Sequence, residues 1–142
     1  WASGVAVITT ADEGVPYGLT MTAVTSLSLD PMQFLICVDN RSDSLAPILG
    51  SGMFCINILS RDQEDIARRF ARKGAEKFEG LRYRILESGV PALEGTLGAI
   101  ACRLARTVPG GDHVIVVGDV LHLETHGGDP LLYFQGRFGV SP

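Results

Sequence analysis

The chain is 142 residues long, 46% apolar and 20% charged, with 17 Gly and 7 Pro. That composition excludes a disordered chain and leaves a compact, turn-rich single domain over 1–142, able to bury roughly 70% of the surface its unfolded form exposes. The 12 basic against 16 acidic side chains give a net charge of -4 at pH 7, which excludes nonspecific nucleic-acid binding, because such binding draws its affinity from a basic surface. No apolar run approaches the ~20 residues that span a bilayer, and no basic start with a small-residue cleavage site is present, so no membrane association and a cytoplasmic location are expected.

Val5 to Thr10 is rich in β-branched residues, breaks at Asp12-Glu13-Gly14 and resumes at Tyr17 to Met21, a pattern that predicts a hairpin. A strand over Ser26 to Leu29, a turn at Asp30-Pro31 and a strand over Gln33 to Val38 follow. The polar loop Asp39 to Ser44 precedes a short helix over Leu45 to Leu49, with Pro47 tolerated in its first turn. Met53 to Leu59 reads as another strand. Ser60-Arg61-Asp62-Gln63 has the S-x-x-Q form of a capping box, and Ile66, Ala67 and Phe70 fall at helical spacing, so a helix is predicted from Asp62 to about Arg72. Gly74 to Gly95 is irregular apart from a strand at Tyr83 to Leu86. Leu97 to Val108 alternates, with Ile100, Cys102 and Leu104 on one face and Arg103 on the other. His113 to Leu123 and Leu131 to Phe134 complete the strands. Strands joined by short turns, with only two modest helices, predict an antiparallel sheet closed into a barrel.

Cys37, Cys55 and Cys102 are odd in number and far apart, each in an apolar strand-like run. They read as buried free thiols rather than as a redox pair or a disulfide scaffold, in keeping with the cytoplasm. His122-Leu123-Glu124-Thr125-His126 has helical metal-ligand spacing, but on a strand its histidines stand about 13 Å apart, so no metal is expected. Neither G-x-G-x-x-G nor G-x-x-x-x-G-K-[ST] nor G-x-S-x-G occurs. Any dinucleotide must therefore bind outside a Rossmann or P-loop cradle, and serine hydrolysis has no nucleophile elbow.

Two segments carry the remaining chemistry. Gly18-Leu19-Thr20-Met21-Thr22-Ala23-Val24-Thr25-Ser26-Leu27-Ser28-Leu29-Asp30-Pro31 places small residues and hydroxyls between apolar runs, and Gly110-Gly111-Asp112-His113 is a tight turn presenting one histidine ahead of Val114 to Val117. A flat ring needs close backbone approach, which small residues permit, and its polar edge needs a few fixed donors and acceptors. Together the segments point to a flavin site. With Ser3 to Thr10, Phe54 to Leu59 and Asp62 to Ala71, they form an ordered series that resembles the short-chain flavin reductases, the reductase components of two-component flavin monooxygenases. The series runs from Ser3 to about Phe138. The family usually carries a helical segment ahead of the Gly-Val motif, whereas this chain begins at Trp1.

The resemblance implies a mainly β fold, a six-stranded antiparallel split β-barrel with a few short helices, usually a homodimer with flavin near the subunit interface. It implies that Thr20, Met21, Thr22, Ala23 and Val24, with Ser26 and Leu27, run beside the isoalloxazine ring and ribityl chain. Ser42, Asp43 and Ser44 correspond to the phosphate-side loop, with Asp43 contributing backbone, and Arg72 and Lys73 to the cationic stretch that meets the flavin phosphate. His113 corresponds to a residue on the pyridine-nucleotide side. Taken singly, the same residues also read as a polar turn, a helix cap and a solvated helix end; their order in the chain favours flavin binding.

The implied activity is NAD(P)H:flavin oxidoreduction. FMN or FAD is bound noncovalently, NADH or NADPH donates hydride, and no side chain acts as nucleophile or acid. Reduced flavin then passes to a partner oxygenase. Two other readings of the architecture remain, a non-catalytic flavin- or haem-binding split barrel and a pyridoxamine-phosphate-oxidase-like enzyme; the Gly110 to His113 turn favours the reductase over both.

Overall fold

A computed structural model of the chain describes residues 1–74 and 76–139. Its elements in chain order are β1 (Ser3–Gly4), β2 (Ala6–Asp12), β3 (Val15–Met21), β4 (Val24–Leu29), β5 (Met32–Asp39), α1 (Leu45–Ser51) and β6 (Met53–Ile58). A 3-10 turn (Arg61–Gln63) then leads into α2 (Glu64–Phe70). β7 (Tyr83–Ile85), β8 (Pro91–Leu93), β9 (Gly98–Gly110), β10 (His113–Thr125), β11 (Leu132–Phe134) and β12 (Arg137–Phe138) follow.

Seven strands form one antiparallel sheet in the order β3-β2-β6-β9-β10-β5-β4. The two outermost strands, β3 and β4, are consecutive in the chain, separated by Thr22 and Ala23 alone. Met21 to Val24 is three Cα steps, at most about 11 Å, so the two edges must meet at that corner and the sheet curls into a barrel split along one seam. The expected mainly β split barrel with few short helices is what forms. Hydrogen bonding runs through seven strands rather than six because the bend at Thr22-Ala23 divides 15–29 into two strands on opposite edges. β1, β11 and β12 make a small second sheet and β7-β8 a separate hairpin.

Strand periodicity sorts the core. Ala6 and Ile8 of β2 point into the barrel with Ile36, Val38, Phe54, Ile56, Ile100 and Val116, where Ile48 of α1 joins them. Val5 and Val7 point outward and are covered by Ala67 and Phe70 of α2, with Phe78 and Leu131. Both faces of β2 are thus buried, which is why its sequence reads as a continuous apolar run.

The second helix is shorter at both ends than its periodicity suggests. Gln63 Oε1 accepts the Ser60 N–H at 3.0 Å, as a capping box requires, but Gln63 Nε2 also donates to the Glu94 carbonyl at 2.9 Å. The first turn is therefore 3-10 and α2 begins at Glu64. At its other end Lys77 Nζ donates to the Phe70 carbonyl at 3.3 Å, closing α2 there rather than near Arg72. Cys55 and Cys102 are buried free thiols, pushed up to about 12 by burial, whereas Cys37 is only partly buried because it alternates to the face of β5 opposite the buried Ile36 and Val38.

Candidate functional site

Three regions converge on a cleft of about 310 Å³: the end of β3 (Leu19, Thr20), the end of β5 with the loop after it (Asp39, Arg41, Ser42, Asp43), and the last residue of α2 with the turn that follows (Phe70 to Lys73); Lys77 also lines it. Local chemistry fixes the convergence. The Thr20 hydroxyl donates to the Ala67 carbonyl at 2.6 Å and Lys77 Nζ donates to the Gly18 carbonyl at 3.0 Å, tying α2 and the loop after it to β3. Gly18 lets the helix come this close, because a Cβ there would lie 2.7 Å from Phe70 Cε1. Phe78 packs edge-on to Phe70 with ring centroids 5.1 Å apart.

The cleft carries four basic side chains, Arg41, Arg72, Lys73 and Lys77, against the carboxylates of Asp39 and Asp43. Asp39 is already engaged. It accepts the Arg41 N–H at 2.8 Å and the guanidinium at 3.3 and 3.2 Å, and these bonds hold its carboxyl down to about 2. Burial pushes the Lys77 ammonium below its ordinary value, opposed by the charge of Asp43. Arg72 and Lys73 are exposed and have no ion-pair partner among the described residues. The donor set therefore suits an anionic group such as a phosphate monoester.

His113 opens β10 directly opposite Asp39 in the β5–β10 ladder. Its Nδ1 lies 2.7 Å from Asp112 Oδ1, and the Asn40 N–H donates to the Asp112 carbonyl at 2.9 Å, so the Gly111-Asp112 turn is docked against the loop that lines the cleft. Gly111 has φ 68, which permits the tight turn.

Thr20, Ser42, Asp43, Arg72 and Lys73 are brought together in one cleft. Ser44 lies just outside, buried against a neighbouring hollow, and its side chain does not cap α1; instead the Ser42 hydroxyl accepts the Ser44 N–H at 3.2 Å. α1 has Pro47 in its first turn, which removes one of the amides an anion would use. The Met21 side chain is buried in the barrel core and does not line the cleft. Thr22 and Ala23 form the exposed β3–β4 corner, and Val24, Ser26 and Leu27 continue along β4, with Leu27 at a register shift. None of these last five lines the cationic cleft itself. Sequence reasoning missed Asp39, the last residue of β5, and Arg41 and Lys77, which lie in irregular segments that no periodicity marks.

His122 Nε2 and Glu124 Oε2 lie 2.9 Å apart, while His126 Nδ1 turns to the Thr96 carbonyl at 2.9 Å. Among the described residues no three His, Cys, Asp or Glu side chains stand close enough to hold a metal ion, and no helix is long and apolar enough to cross a membrane.

The model of the flavin reductase like domain matches residues 1–141. The reductase component of 4-nitrophenol 4-monooxygenase/4-nitrocatechol 2-monooxygenase of Rhodococcus opacus is 40% identical, over 98% of this chain and 75% of that protein. Among solved structures, nitrilotriacetate monooxygenase component B from Mycobacterium thermoresistibile superposes with a TM-score of 0.93 at 36% identity, over 97% of this chain and 79% of that one. The NADH:FAD oxidoreductase SgcE6 of Streptomyces globisporus, in complex with NAD and FAD fragments, gives 0.93 at 31% identity, over 97% and 84%. With a cationic cleft, a small-residue corner and a docked histidine turn on the same split barrel, the chain belongs to the flavin reductase-like family.

Proposed function

We propose that this chain, as a single domain over 1–142, is an NAD(P)H:flavin oxidoreductase that reduces FMN or FAD and supplies the reduced flavin to a partner flavin-dependent monooxygenase. The observation that carries the reading is the convergence of Arg72 and Lys73, without an ion-pair partner among the described residues, with the 39–43 loop, one strand's end away from the Thr22-Ala23 corner. In this assignment Arg72, Lys73 and the Ser42 to Ser44 backbone hold the flavin phosphate. Thr20 to Val24, Ser26 and Leu27 lie along the ring and ribityl chain, and His113 positions the nicotinamide. Bound flavin supplies a two-electron acceptor for the nicotinamide's hydride. The side chains bind and orient; none needs to form a bond.

The reading includes a homodimer, supported by the exposed Leu29 and Met32, which are Cα partners across β4 and β5 and present an apolar patch at a sheet edge. It includes a cytoplasmic location, supported by three free cysteines. The test is NADH consumption as a function of added riboflavin, FMN and FAD. Oxidation proportional to flavin is expected, and a folded protein that consumes no NADH or NADPH with any of the three overturns the assignment.

A further inference from the structure

A hollow of about 430 Å³ lies on the outer face of the barrel, where the turn after β7 meets the β6–β9–β10 part of the sheet. It shares no lining residue with the cationic cleft. About 30 Å of β10 separates His113, beside the cleft, from His122, which lines the hollow.

Local sequence builds this second cavity. Along β9 the inward residues are Ile100, Cys102 and Leu104, so Arg103 alternates to the outer face, with Met53 of β6 as its Cα partner. The β9–β10 register shifts between Val120 and His122, and the residue left out of the ladder, Leu121, is an exposed side chain on the hollow. The opposing wall is the turn carrying Glu87 and Ser88. It is closed by the Leu86 N–H on the Val90 carbonyl at 3.0 Å and the Gly89 N–H on the Leu86 carbonyl at 2.8 Å. Arg84 of β7 pairs with Glu124 of β10, and Val90 and Ala92 bury against Cys55, Ala99 and Ala101, so the wall is fastened to the floor.

The lining is amphipathic. Met53, Leu86 and Leu121 supply apolar surface. Arg103 is exposed and has no ion-pair partner among the described residues; its cross-strand neighbour Asp119 instead accepts a hydrogen bond from Gln33 Nε2 at 2.8 Å. His122 is held from one side, with Nε2 2.9 Å from Glu124 Oε2, which leaves Nδ1 free of that carboxylate. Ser88 carries the one buried side-chain oxygen without a hydrogen-bond partner among the described residues, an uncommon condition in a folded chain. The volume falls within the range of about 300–1,000 Å³ typical of small-molecule sites, which likewise combine apolar walls with a few polar groups.

We propose that this hollow is a second ligand site, for a small organic acid with an apolar body. The carboxylate pairs with the Arg103 guanidinium, and the hydrocarbon part lies on Met53, Leu86 and Leu121. Glu87 repels an anion from the wall, which directs the acid end toward the floor. The proposal does not depend on how the cationic cleft is read, because the two cavities have no residue in common.

The probes are phenylacetate and its uncharged counterpart 2-phenylethanol, titrated calorimetrically into the whole chain with and without saturating FMN. Phenylacetate is expected to bind one per chain, with an affinity that FMN changes by less than about twofold, and 2-phenylethanol to bind about tenfold more weakly, the scale of one charge-assisted contact. Arg103→Gln and Leu121→Glu should each weaken phenylacetate about tenfold. Both residues are exposed, and an FMN affinity equal to the wild type's shows that each variant is folded. Absence of saturable phenylacetate binding at millimolar concentrations, displacement of phenylacetate by FMN, equal affinity for acid and alcohol, or unchanged affinity in the two variants overturns the proposal.

Discussion

His113 stands across the β5–β10 ladder from Asp39, whose carboxylate is clasped by the Arg41 side chain at 3.3 and 3.2 Å. The histidine turn and the rim of the cationic cleft are thus one hydrogen-bonded unit, further joined by the Asn40 N–H on the Asp112 carbonyl. The imidazole is held at the edge of the cleft and not within it.

That placement predicts a separation of effects. His113→Ala should raise the KM for NAD(P)H or slow hydride transfer while leaving flavin affinity within about threefold, with substantial residual turnover because no essential proton is lost. Single-turnover reduction at saturating flavin is the measurement. A variant that loses flavin binding but keeps normal nicotinamide kinetics contradicts the assignment.

Replacing both Arg72 and Lys73 by Ala should weaken FMN binding by about 1 to 3 kcal/mol, the scale of charge-assisted hydrogen bonds. Riboflavin, which lacks the phosphate, should bind nearly as before. Equal losses for the two ligands in a titration would mean that the pair supports the fold around α2 instead.

The Asp39–Arg41 pair gives a pH signature. The Asp39 carboxyl is lowered from an ordinary 3.8 to about 2 in the folded chain, so between those values the unfolded chain binds more protons. Its stabilising contribution is present above about pH 3.8 and is lost as pH falls through about 2. Denaturant midpoints across that window should fall less steeply for Asp39→Asn than for the wild type. Identical slopes would show that the pair does not couple to folding.

Asn57 is fully buried and fastens β8 to the barrel. Its Nδ2 donates to the Val7 carbonyl and Thr9 Oγ1, both at 2.9 Å, and its Oδ1 accepts the Leu93 N–H at 2.8 Å. Asn57→Ala should cost about 2 to 3 kcal/mol, mainly from the buried groups left unpaired. Chemical denaturation tests this, and a loss below about 0.5 kcal/mol would show that water or repacking satisfies them.

Legibility tracked local chemistry. The β2–β3 hairpin was readable because a run rich in β-branched residues breaks at Asp12-Glu13-Gly14, where Glu13 and Gly14 both take positive φ. The capping box at Ser60 was readable from its S-x-x-Q spacing, but the extent of α2 was not, since the Glu94 carbonyl, 31 residues from Gln63, and the Lys77 side chain limit it from outside the helix. Thr20, Ser42, Asp43, Arg72 and Lys73 could be picked out in chain order. Arg41 and Lys77 could not, because an irregular loop shows which side chain it offers only once the fold has placed it. β1 and β12, two residues each, are too short to leave a periodicity.

The corner at Thr22-Ala23 ties ligand capture to the protection of the sheet. Exposed edges of β3 and β4 are the places where another chain could add a strand, and here both begin at a single two-residue link. A molecule seated there would shield amides on both sides of the seam at once. Exchange of backbone hydrogens near Thr20 and near Val24 should therefore slow together on flavin addition, although the two strands lie at opposite ends of the hydrogen-bonding order.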